Sequence, residues 1–299
     1  LLIYATYQPT ETPYLPFSQA FGLFALLSLL FIQVIRLQHR RLLKRMETLD
    51  FRSLDHRFNS LLTRHSILAV GLFAVAIYGL NLSSFSGRLP IFAQLPTLEA
   101  LVYILVFIAY LACVWGAAHP SYQRLYRHRI QRRSYVVSNI SFGAPVLLPW
   151  LVLSLVADLI NLLPFELPKR LLATPAGETG YFLCFLVIVA ILGPVLIHRF
   201  WRCRPLPPSP ARERIEALCR RADLSYNNIL DWPLFGGRMI TAGVMGLVGR
   251  FRYILVTDAL LQLLTPEEVD AVIAHEIGHI KRRHLLFYLF FFLGYMVVA

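Results

Sequence analysis

The chain has 299 residues, 57% of them hydrophobic and only 15% charged, with a formal net charge of +12. A mean hydropathy of +0.58 over that length excludes a single soluble globular domain and assigns much of the chain to lipid. The positive charge alone would suit nucleic acid, but no folded basic module with interleaved aromatics is visible, so membrane lipid is the expected partner and nucleic acid is not.

In chain order, apolar runs at residues 17–37, 67–82, 98–118, 136–163 and 181–197 are each near the length of a bilayer-crossing helix. A sixth begins at Leu285 and is still apolar at Ala299; with no initial Met, the chain reads as a fragment of a longer protein. The first run has no basic leader and is followed by Arg and Lys, the reverse of a secretory signal, so it stays in the mature chain. Pro145, Pro149 and Pro194 predict kinks. Asp158 and Asn161, near the outer end of the fourth run, either serve a function or snorkel to the interface.

Arg36, Arg40, Arg41, Lys44, Arg45, Arg52, Arg57 and Arg64 separate the first two runs, and Arg124, Arg127, Arg129, Arg132 and Arg133 separate the third from the fourth. The opposite connections hold Arg88 in one, and Lys169 and Arg170 offset by Glu166 and Glu178 in the other. The excess of basic residues marks the cytoplasmic side, so the chain starts outside and delivers the residues after His198 to the cytoplasm. Cys113, Cys184, Cys203 and Cys219 show no paired spacing and indicate neither a disulfide framework nor a second zinc site.

A stiff Pro205-Leu206-Pro207-Pro208 linker precedes Ser209 and Pro210, which open a helix with Ile215, Leu218 and Ala222 on one face. This helix is expected to cover a small sheet with strands near 226–232, 238–245 and 253–257. Turn signals stand at Gly236-Gly237 and Val248-Gly249-Arg250. A second helix follows around 258–264. Thr265-Pro266-Glu267-Glu268 then reads as an N-cap, a proline at the first helical position and a capping-box glutamate. The helix so begun carries His275-Glu276-Ile277-Gly278-His279.

Two imidazoles four residues apart share a helix face and can grip one zinc ion. Glu276 lies about 100° round from His275, beside the metal without being a ligand, placed to take a proton from an activated water. A helix continued through Ile280-Lys281-Arg282-Arg283 would put His284 about 180° from His275, so His284 reads as structural or interfacial. Lys281, Arg282 and Arg283 read as an anchor at the membrane boundary.

The segment from Thr241-Ala242-Gly243 through Ile254–Leu261 to the histidine motif and His284 resembles the membrane zinc endopeptidases typified by the HtpX heat-shock protease and the type I CAAX prenyl protease. The resemblance covers roughly residues 210–299. It implies zinc held by His275 and His279, Glu276 as catalytic base, and a third ligand, a glutamate, downstream of Ala299. It further implies an edge strand, Thr241, Ala242, Gly243, Val244 and Met245, that binds substrate; Thr241 stands where the family often has Asn.

These readings describe a polytopic α-helical membrane protein with a small α+β, gluzincin-like zinc-peptidase domain. The expected division is a membrane domain over 1–199, a cytoplasm-facing peptidase domain over 200–284 and the start of a further span over 285–299. The expected activity is endoproteolysis of membrane-associated or misfolded proteins at a plasma membrane, a bacterial inner membrane. The alternative is a non-catalytic membrane scaffold with a coordinatively closed structural zinc site.

Overall fold

The computed structural model describes residues 13–47, 50–127, 130–234, 239–284, 286–288, 290–291 and 294. The Gly236-Gly237 turn and much of the run from Leu285 lie outside the described residues. In the N-terminal two thirds the elements are α1 (Phe17–Lys44), α2 (Phe51–Ala74, prolonged as a π-helix over Val75–Gly79), short α3 (Ser83–Ser86) and α4 (Pro90–Gln94), α5 (Pro96–Tyr126), α6 (Arg132–Leu162), α7 (Glu166–Leu172) and α8 (Pro175–Phe200). They are followed by β1 (Arg204–Pro205), α9 (Pro210–Arg221), β2 (Asn228–Asp231), β3 (Ala242–Met245), β4 (Tyr253–Val256), α10 (Asp258–Leu263) and α11 (Pro266–Lys281).

Among the described residues, α1, the Phe51–Gly79 helix, α5 and α8 are long and apolar enough to cross a bilayer. The α6 segment makes a fifth if its halves, Arg132–Pro145 and Leu147–Leu162, bent by 58°, count as one span. The bend falls beside Pro145, whereas the second half runs through Pro149 and α8 runs through Pro194 as one helix. Side chains such as Leu29 (61% exposed) and Ile67 (65% exposed) point away from the protein, as lipid-facing groups do. The protein is an integral membrane protein.

The helices outrun their apolar stretches. α1 continues through Arg40 and Arg41 to Lys44, and α2 opens at Phe51 with the Asp50 carboxylate accepting from Ser53 N at 3.2 Å. The basic stretch between the first two apolar runs is therefore mostly helical, because Leu42, Leu54 and Phe58 on the inner faces are buried against Ala118 and Tyr122 of α5. Asp158 has a plain role: its Oδ2 accepts from Thr97 N at 2.8 Å and caps the start of α5.

Contacts divide the chain into two compact units, one comprising Leu1–Ile140 with Trp150–Arg170, the other Ser141–Pro149 with Leu171–Ala299. The second unit holds a four-stranded sheet of order β1-β2-β4-β3. β2 runs parallel to β4 and both outer pairings are antiparallel. Side chains alternate across the sheet. Ile229, Ile254 and Val256 face α9 and α11, packing on Ile215, Cys219, Ile273 and Ile277. Leu230, Tyr253 and Leu255 face the other way, onto Val195, Trp201 and Cys203 at the end of α8. All four residues of β4 are consequently buried. Trp201 stacks between Phe142 (5.8 Å) and Trp232 (4.8 Å), and His198 lies 4.5 Å from the Tyr253 ring.

Candidate metal centre and peptide edge

α11 begins as its sequence dictates. Thr265 accepts from Glu268 N, the Glu268 side chain accepts from Thr265 N at 2.8 Å, and Pro266 occupies the first turn. Val269, Ile273 and Ile277 bury one face in the core. Arg214 of α9 donates to Asp270 at 2.7 Å and lies 3.5 Å from Glu267; the Asp270 hydrogen bond pushes its guanidinium pKa up. With that face packed, Ala274, His275 and His279 project on the exposed side, while Glu276 and Gly278 are half-buried.

The two imidazoles meet through their outer nitrogens, His275 Nε2 to His279 Nε2 at 3.0 Å, with ring centroids 4.6 Å apart. Two nitrogens sharing one tetrahedral zinc at about 2.0–2.1 Å would stand roughly 3.3 Å apart. The pair therefore fits two corners of such a site. Among the described residues no group of three His, Cys, Asp or Glu converges. Burial first, then nearby Asp231, pushes the Cys203 thiol up to about 12; burial first, then Glu216, pushes Cys219 up to about 11.

His284 departs from the sequence reading. α11 stops at Lys281, and Arg283 takes a left-handed backbone with φ +54°, so His284 swings back instead of lying opposite His275. Its Nδ1 is 2.7 Å from His279 Nδ1. His275 and His284 thus address opposite nitrogens of the His279 ring, and one ion cannot take all three. The expected placement of His284 opposite His275 is thus corrected. No glycine or proline at 280–283 signals this stop; a non-glycine residue with positive φ is what the sequence conceals.

Glu276 and His279 line a cleft of about 420 Å³ whose other wall is Val244, Gly246, Leu247 and Arg252. β3 is the last strand of the sheet. Its register pairs Ala242 with Val256, Gly243 with Leu255, Val244 with Ile254 and Met245 with Tyr253. One step further, Thr241 is locked onto Thr257. Thr257 N donates to Thr241 O at 3.2 Å, the Thr257 hydroxyl donates to the same carbonyl at 3.0 Å, and that hydroxyl accepts from Thr241 N at 3.2 Å. Antiparallel alternation then turns the main-chain groups of Ala242 and Val244 to the open edge and those of Thr241, Gly243 and Met245 toward β4.

Thr257 is fully buried and also caps α10. Arg252 fixes the far end of β3, donating to Gly246 O (3.2 Å), Leu247 O (2.6 Å) and Ser225 O (2.8 Å); burial pushes its pKa down. Gly246 sits at φ +113°, where an added Cβ would meet Phe251 O at 2.4 Å. None of these supports shows in sequence periodicity.

Residues 211–298 match Peptidase family M48. A protease HtpX homolog from Aeropyrum pernix is 32% identical over 105 residues, 34% of this chain and 31% of that protein. Another, from Sulfurovum sp., is 32% identical over 122 residues, 37% of this chain and 42% of its own length. The matched segment thus spans less than half the length of these curated relatives. Among solved structures, S. mikatae Ste24p aligns over 94% of this chain and 70% of its own, with a TM-score of 0.39 and 18% identity. Residues 211–298, which include the His275–His279 pair on α11, are thus similar to peptidase family M48.

Proposed function

We propose that this chain is the membrane-anchored part of a zinc-dependent endopeptidase that cleaves peptide bonds of membrane-associated or misfolded proteins. The observation that carries the reading is the pair of Nε2 atoms 3.0 Å apart on the exposed side of α11, with the Glu276 carboxylate in the adjoining cleft. His275 and His279 would hold the ion, with a third ligand from residues beyond those described. A zinc ion held there would supply Lewis acidity toward the scissile carbonyl and make water a stronger acid.

The chain's own groups do the rest. Peptide substrate adds to the open edge of β3 through the main-chain donors and acceptors of Ala242 and Val244, which sets an extended stretch beside α11. Glu276 takes a proton from the attacking water on its carboxylate and returns it to the leaving amine. The Nδ1 contact of His284 carries a hydrogen which, held by His279, leaves the His279 Nε2 lone pair directed outward for the metal. The concentration of basic residues at the α1–α2 and α5–α6 ends supports a cytoplasmic active site at a plasma membrane.

The test is Glu276→Gln in the full-length protein. Proteolysis should fall by roughly two or more orders of magnitude with zinc content near wild type, whereas His275→Ala or His279→Ala should lose both. Undiminished cleavage by Glu276→Gln would overturn the mechanism. Wild-type protein holding a four-ligand zinc and inactive on every substrate would establish the scaffold alternative instead.

A further inference from the structure

The α1 and α2 ends enclose a second cleft of about 470 Å³, within one compact unit and independent of the peptidase reading. Arg41 and Arg45 of the first helix and its continuation, with His56, Arg57, Ser60 and Arg64 of α2, supply its polar lining, and no carboxylate lines it among the described residues. Asp55, the nearest acidic residue in sequence, is already engaged by Asn59 and Tyr126. Its remaining polar wall, Gln38, is held in place by His65, which is 2% exposed and bonds Gln38 Oε1 through Nε2 at 3.0 Å.

The depth of these groups is informative. On a rise of about 1.5 Å per residue, Arg41 lies roughly 6 Å beyond the apolar run that ends at residue 37, and Arg64 roughly 4.5 Å before the one that starts at residue 67. Both fall in the headgroup layer, about 5–8 Å thick on each side of the hydrocarbon. Arg57 stands roughly 10 Å further out on the same face of the cleft. The guanidinium forks of Arg41 and Arg64 at phosphodiester depth match a phosphate oxyanion, and the exposed apolar helix surfaces below, Val34 and Leu68 among them, suit acyl chains. A purely topological role for these arginines requires positive charge on this side but no concavity around it.

We propose that the cleft between the ends of α1 and α2 binds the phosphate-bearing headgroup of an anionic phospholipid, with Arg41 and Arg64 as the phosphate contacts and Arg57, farther out on the cleft wall, adding positive charge at its rim. The full-length protein, purified in detergent and exchanged into mixed micelles, would be tested with phosphatidylglycerol against phosphatidylcholine, reading retained lipid by native mass spectrometry. Arg41→Gln/Arg57→Gln/Arg64→Gln should lower phosphatidylglycerol retention by roughly ten- to a hundredfold. Arg36→Gln/Arg40→Gln/Arg52→Gln, with the same loss of charge outside the cleft, should lower it by less than about threefold. Arg41→Lys/Arg57→Lys/Arg64→Lys, which keeps the charge and spares the fold, should retain intermediate binding. Equal losses in both Gln triples, or equal retention of the two lipids by wild type, would overturn the proposal. Displacement of the lipid by millimolar inorganic phosphate would overturn it in favour of a free-anion site, while lipid that resists phosphate supports it.

Discussion

Single side chains decide the shape of the β3 edge more than the motif residues do. Gly246→Ala places a Cβ against Phe251 O in a left-handed backbone, and the expected cost is about 1–3 kcal/mol, read as a lowered midpoint in denaturant titration of the detergent-solubilised protein. His284→Ala removes the Nδ1 partner of His279. The expected result is zinc affinity weakened by roughly ten- to a hundredfold in competition with a chelator, with helix content unchanged by circular dichroism. A His284→Ala protein that binds zinc as tightly as wild type would leave the Nδ1 contact without a role. The motif itself was open to sequence reasoning because i, i+4 spacing and the capping box are local rules. The His284 contact was not, since it depends on a left-handed arginine that carries no residue signature.

At the level of elements, α9, α10 and α11 begin where their caps and prolines place them, because helix starts are encoded within four residues. Strand ends were less legible. β3 starts at Ala242, several residues later than its apolar pattern suggests, because pairing extends only as far as Thr257 can hold Thr241. Thr257→Val should therefore loosen both β3 and α10, lowering stability by about 1–3 kcal/mol through orphaned buried groups. Amide exchange should locate the loss at residues 241–245. Asp231, at the end of β2, has its pKa raised by burial first and by Asp258 second. A carboxyl whose folded pKa is raised destabilises when ionised, so the chain should gain stability as pH falls from above that raised value toward the ordinary carboxylate range. Asp231→Asn should abolish that segment of the pH profile, as measured by thermal unfolding.

For the molecule as a whole, apolar runs announced the spans, but not how far helix continues past the hydrocarbon, since polar helical turns depend on packing such as Phe58 against Tyr122. The orientation proposed above rests on where the basic residues concentrate. In a background without the four native cysteines, a cysteine at Ala176 should react with an impermeant reagent from outside and one at Asn59 should not. The opposite labelling pattern would turn the peptidase segment to the outer side.

Leu230, Tyr253 and Leu255 are covered by Val195 and Trp201, residues of the apolar helix α8 and its cap. The peptidase segment is therefore not portable: its inner layer is borrowed from a membrane span. A fragment beginning at residue 204 would bare one whole side of its sheet and should aggregate, whereas one beginning at residue 171 should remain monodisperse in detergent. Recombination that moved the histidine helix onto another carrier would have to bring that span with it.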